Sequence, residues 1–175
     1  SMVKSPLFPE ENLETVRSTD TTDLNVTVYL AHDERLGEAS FSVYSSYDEE
    51  KITQEIEKAK KKAAIIANQP YSLPENESGE YVSSSNFANY RPHELASLIS
   101  KACFEADCIE GGSINALEIF VYKDTVSIKN SRGIDKTQVK YRAMVEAIPT
   151  FNGEESVELY EQYNFTEFDA EAVVD

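Results

Sequence analysis

The clearest periodicity in the chain is the alternation of apolar and polar residues from Asn115 to Asp169. Over Ala116–Lys123, Leu117, Ile119 and Val121 share one face, and Glu118, Phe120 and Tyr122 the other. Over Asp124–Asn130, Val126 and Ile128 stand against Thr125, Ser127 and Lys129. Lys123-Asp124 reads as a two-residue turn joining the two runs into a tight hairpin. Asn130-Ser131-Arg132-Gly133 reads as the next turn, with Asn and Gly supplying the left-handed backbone that a reversal needs. Thr137–Ile148 then carries Val139, Tyr141, Ala143, Val145 and Ala147 at period two. Asn152-Gly153 turns the chain again, and Ser156–Thr166 returns with Val157, Leu159, Glu161 and Tyr163 on one face. The pattern predicts a four-strand antiparallel meander with one face buried under helices from earlier in the chain.

The N-terminal half supplies such helices. Leu24–Ala31 alternates Leu24, Val26, Val28 and Leu30 with polar or smaller residues, a half-buried strand. His32-Asp33-Glu34-Arg35 is the predicted hairpin loop, and Gly37–Ser45 the returning strand. Ser46-Tyr47-Asp48-Glu49 has the form of a capping box. The helix it opens is expected to reach about Asn68, with Ile52, Ile56, Ala59, Ala63 and Ile66 forming one stripe. Asn68 to Tyr90, with Pro70, Pro74 and Gly79, reads as a long loop. Pro92 opens a second helix holding Leu95, Leu98, Ile99, Ala102, Cys103 and Ala106, and Gly111-Gly112 ends the segment. Residues 3–22 are weakly patterned, with Asn12–Arg17 a possible edge strand. The predicted fold class is therefore α+β. An antiparallel sheet, made of an N-terminal hairpin and a C-terminal meander, packs against two main helices. We expect one domain over 1–175, weakly ordered at 1–12, with a long loop at 68–91.

Apolar content of 41% and aromatic content of 10% suit a folded domain. No apolar run approaches a membrane span and no signal peptide is visible, so a cytoplasmic location is expected. The net charge of −16, from 32 acids and 16 bases, argues against nucleic acid and anionic membranes as partners. Solubility explains most of that charge, and an acidic face for a basic partner or peptide is the sharper reading. Cys103 and Cys108 point about 140° apart on a helix, so neither a local disulfide nor a metal pair is expected. The sequons at Asn25, Asn76 and Asn164 read as chance matches without a secretion signal.

Reactive chemistry is sparse. The two histidines are His32, in a predicted turn, and His93, at a helix start; His93-Glu94 is followed by no second histidine within a turn or two. A catalytic zinc site needs more ligands than that. No nucleophile elbow, phosphate-binding loop or dinucleotide fingerprint occurs. Asp20, Asp23, Asp33 and Glu34 read as turn acids. Glu161, Glu167 and Asp169 gather where the last strand ends, a possible cation site but more simply an acidic strand end. Catalytic, cofactor-binding and metal residues are each assigned as none. What remains is surface for protein contact: an aromatic-rich sheet with an edge strand that can accept an extended peptide.

Several of these features in order resemble the N-terminal domain of the TldD/PmbA family, the modulators of DNA gyrase. They are the strand Leu24–Leu30, the segment Gly37-Glu38-Ala39-Ser40, and the Asp-led helix of Asp48–Ala67 with its Ala-Lys-Lys-Lys-Ala-Ala-Ile-Ile-Ala tail. The Pro-containing loop Gln69–Asn76 and the turn Asn130-Ser131-Arg132-Gly133 complete the set. The resemblance spans roughly Leu13 to Asp169. It implies an accessory role in a metalloprotease system in which TldD-like and PmbA-like subunits pair and act on unfolded peptides. The His-Glu-x-x-x-His zinc site of the TldD branch lies in a C-terminal domain with no counterpart here. Zinc is therefore expected only in a catalytic domain or partner, and this chain alone is not expected to be catalytic. Expected partners are a subunit of the same family, in a homo- or hetero-oligomer, and unfolded peptide. The readings from other classes are a free-standing enzyme with a spatially assembled acid or serine site, and a structural interaction module.

Overall fold

The structure, a computed structural model, describes residues 17–170. It divides the expected domain into two compact units, Ser18–Pro74 and the chain from Glu75 onward. The proposed edge strand at Asn12–Arg17 lies, apart from Arg17, outside the described residues. Among those residues no helix is long and apolar enough to cross a membrane.

The first unit is a hairpin with one helix. β1 (Leu24–His32) and β2 (Arg35–Val43) pair antiparallel from Leu24↔Val43 to His32↔Arg35, as the alternation predicts. Asp33 and Glu34 at the turn have φ of 46° and 57°, the left-handed pair that a two-residue hairpin loop demands. α1 (Glu49–Ala63) packs on this hairpin and buries Ala59 and Ala63. Two expectations are corrected here. The N-cap is Asp48, whose carboxylate accepts from the Lys51 amide at 2.7 Å, so Ser46 does not cap the helix. The helix also stops at Ala63, short of Asn68, because Asn68 leaves to exchange two backbone hydrogen bonds with Leu36. Gly37 makes that approach possible, since a Cβ there would lie 1.8 Å from the Ala63 carbonyl oxygen.

The second unit is built on a long hairpin. β4 (Gly112–Lys129) and β5 (Asp135–Asn152) pair antiparallel along almost their whole length. The predicted turn at Lys123-Asp124 is absent: Lys123 lies opposite Tyr141 and Asp124 opposite Lys140, inside one continuous strand. The apolar residues change faces there, with Leu117, Ile119 and Val121 on the core face and Val126 and Ile128 on the other. That change of phase mimics a break. The real turn is at Asn130–Gly133, where Asn130 Oδ1 accepts from the Arg132 and Ile134 amides and Gly133 has φ of 92°.

The other edge of β5 holds three short strands rather than one meander strand. β3 (Ser78–Val82) runs parallel to Asp135–Val139. β7 (Glu161–Phe165) lies antiparallel to Ala143–Ala147, and β6 (Ser156–Glu158) to Thr150–Asn152. The fold is α+β, but this sheet is mixed and not antiparallel throughout. β3 falls inside the expected loop 68–91, as does a 3₁₀ turn at Asn86–Asn89. All of β3 is exposed, so backbone pairing holds it and no apolar alternation announces it. Pro149 divides the return strand: it has no N–H to offer, the β4 ladder shifts register between Ile114 and Ala116, and Leu159 N–H bonds the Pro149 carbonyl at 3.0 Å.

α2 (Pro92–Ala106) forms where expected, with the Arg91 amide donating to Glu94 Oε2 at 2.9 Å. Its Leu95, Ile99 and Phe104 join Phe87, Leu117, Ala143, Val145 and Ala147 in the core, on one face of the sheet.

Candidate functional site

Within its own unit, each residue singled out as reactive has local surroundings that account for it. His32 Nε2 lies 3.1 Å from the Ile66 carbonyl oxygen, and its Nδ1 lies 4.0 Å from Asp33. That imidazole ties the hairpin loop to the chain after α1. His93 is exposed in the first turn of α2, and its neighbour Glu94 is engaged in capping. Among the described residues, neither imidazole hydrogen-bonds a Ser or Cys side chain. Cys103 is half-buried in α2, and burial pushes its thiol up to about 11, far from a thiolate at neutral pH. Cys108 is exposed, and both cysteines are free. No group of three His, Cys, Asp or Glu among the described residues is placed to hold a metal, so Glu161, Glu167 and Asp169 do not converge. Asp33 and Glu34 form the β1–β2 turn, while Asp20 and Asp23 are exposed ahead of β1.

Two surfaces of the second unit can make contacts instead. The first is β4 with the sheet face away from α2. β4 is the terminal strand, and its outer edge carries no strand among the described residues. Its distal half is blunted by Lys123 and Lys129, the latter paired with Asp135 at 2.9 Å. Its proximal half has Glu118 as its one charged residue. On the face beside that half, Phe120 stacks with Tyr122 at 6.4 Å. The Arg142 guanidinium sits 3.8 Å from the Tyr122 ring centroid, held by Asp124 at 3.2 Å. Glu118 faces Glu146 directly across the ladder, a like-charge pair that disfavours the sheet. The Tyr160 hydroxyl hydrogen-bonds Glu146, which holds the phenol proton and raises the Tyr160 pKa.

The second surface is a cleft between the C-terminal end of α2 and the β5–β6 turn. Its volume is about 290 Å³, and Cys103, Ile109, Ile114, Pro149, Val157 and Leu159 are among its lining residues. The Phe151 ring forms one wall, fitted against two glycines: a Cβ at Gly111 or Gly153 would lie 3.2 Å or 2.7 Å from it. The turns at Gly111-Gly112 and Asn152-Gly153 were legible in the sequence. The convergence of exposed apolar residues between them was not, because alternation alone puts Val157 and Leu159 on one face of a strand without showing what they line.

No protein-family model matches the sequence, and no curated protein matches it. Solved structures do share its fold. TldE from Thermococcus kodakarensis superposes with a TM-score of 0.53 at 19% identity, over 87% of this chain and 40% of that one. A protein from Thermotoga maritima MSB8, named as a modulator of a DNA gyrase, gives a TM-score of 0.56 at 15% identity, over 89% of this chain and 36% of that one. This chain thus spans well under half the length of either, and the likeness is one of fold. It is the fold that the resemblance to the TldD/PmbA family implied.

Proposed function

We propose that this chain is a non-catalytic accessory domain of a TldD/PmbA-like peptide-processing system, making subunit contacts and helping to enclose or present unfolded peptide. The observation that carries the reading is the fold shared with TldE and the gyrase-modulator structure across most of the chain. His32 and Glu94 are each engaged in local structural hydrogen bonds, which is compatible with reactive groups supplied by a catalytic domain or another polypeptide. We assign the subunit contact to the outer edge of β4, which carries no strand among the described residues and lies beside an aromatic face.

The test is hydrogen exchange on the full chain, alone and mixed with a TldD-type zinc subunit encoded in the same genome. The expected result is co-purification, with amides of Gly112–Tyr122 slowed in the complex and those of β1 unchanged. Failure to associate, or protection that bypasses β4, would overturn the assignment.

A further inference from the structure

We propose that the cleft at the end of α2 seats a large apolar side chain of a peptide segment whose neighbouring residues are Lys or Arg. Its size sets the first limit. About 290 Å³ lies at the bottom of the range of roughly 300–1,000 Å³ usual for small-molecule sites, so one or two side chains fill it and an extended cofactor does not. Its apolar lining is open to solvent: Ile109 is 70% exposed, Leu159 54% and Val157 47%. Exposed apolar residues gathered at one concave place mark a contact surface more often than scattered ones do.

Charge selects the occupant. The cleft is lined from two segments, residues 103–114 and 149–159. The first carries Glu105, Asp107 and Glu110, and the second Glu154, Glu155 and Glu158. Neither contains Lys, Arg or His. Glu105 is paired with Lys101 and Asp107 accepts from the Ile114 amide, but the excess of acids in the two segments still disfavours an anionic ligand. A second copy of this chain would bring a net charge of −16 to the same place. A segment with cationic residues flanking an apolar anchor matches both the apolar lining and the acids carried by the two lining segments. The Phe151 ring, fitted against Gly111 and Gly153, keeps the wall in place without an occupant.

This inference rests on the peptide-handling part of the accessory-domain reading, and its test is separate from that of the subunit contact. Peptide binding by the isolated chain tests the cleft, association with a zinc subunit tests the other, and either can fail alone.

The probe is a fluorescein-labelled hexapeptide, Lys-Arg-Phe-Leu-Lys-Arg, titrated with the full chain and followed by anisotropy. We expect saturable binding, and at least about tenfold weaker binding of the peptide in which every Lys and Arg is replaced by Glu. Val157→Asp puts a charge in the cleft and should cost about tenfold or more. The exposed double variant Glu154→Gln/Glu155→Gln should melt like the parent and bind several-fold more weakly at low salt. That deficit should vanish near 1 M salt, where screening shortens to about 3 Å. Equal binding of the acidic peptide, or parental affinity in Val157→Asp, overturns the proposal. So does a concentration-dependent dimer that Val157→Asp dissolves, which would give the cleft to a second copy.

Discussion

The two units solve the same problem, covering a hairpin with a helix, by different means. In the unit from Glu75 onward, α2 lays Leu95, Ile99 and Phe104 onto Leu117 and Val145, all of them buried. In the unit Ser18–Pro74 the buried apolar residues are Leu36, Ala59 and Ala63. With so little side-chain volume to bury, the smaller unit depends on close backbone approach at Gly37. It adds hydroxyl and amide pairs across the hairpin, Thr27 with Ser40 and Asn25 with Ser42, each at 2.8 Å. The larger unit is held by what its side chains fill, and the smaller by where its backbone can go.

That contrast can be broken from both sides. Ile99→Ala leaves a cavity in the fully buried core and should destabilise the larger unit by about 2–5 kcal/mol, read from denaturant unfolding. Gly37→Ala would be harmless in an open hairpin. Here the added methyl meets the Ala63 carbonyl group, and a loss of about 1–3 kcal/mol is expected, with hydrogen-exchange protection falling in β2 and α1. Were the smaller unit packed like the larger one, the two results would be reversed in size.

A gentler probe is pH. Glu55 on α1 accepts hydrogen bonds from Lys58 and Lys51, at 2.8 and 2.9 Å, which hold its carboxyl well below 4.5, at about 2. The folded state takes up this proton less readily than the unfolded chain. Its contribution is therefore present above about pH 4.5 and is lost as pH falls toward about 2. Melting of α1, followed by circular dichroism, should weaken through that window more in the parent than in Glu55→Gln. The smallest effect runs the other way. Glu34 holds a left-handed conformation that glycine adopts freely, so Glu34→Gly should stabilise the hairpin by about 1 kcal/mol. A loss of stability would show that the Glu34 side chain has a role beyond the turn.

Where a local signal had one cause, the sequence was legible. The Leu24–Leu30 alternation, the Asn130–Gly133 turn and the Pro92 helix start each formed as their residues dictate. The misreadings came where tertiary pairing decided. Nothing in Ser78–Val82 marks a strand, since it is recruited by the free edge of β5. Lys123-Asp124 resembled a turn because Val126 and Ile128 change faces once the strand passes beyond the helix that covers its first half. Pro149 signalled a disruption, but the paired irregularities at Asn115 and Leu159 follow from long-range register. For the candidate surfaces, the edge strand was foreseen from the meander. The cleft was not, because it joins turns that are far apart in sequence.

The central proposal is that the reactive groups lie outside these 175 residues, in a catalytic domain or another polypeptide. Zinc content and peptidase activity, measured on the pure chain and again after mixing with a TldD-type subunit, test it most directly. The account predicts no stoichiometric zinc and no cleavage by the chain alone, with cleavage in the mixture exceeding that of the zinc subunit by itself. Peptide cleavage by the pure chain with one bound zinc per molecule would contradict it.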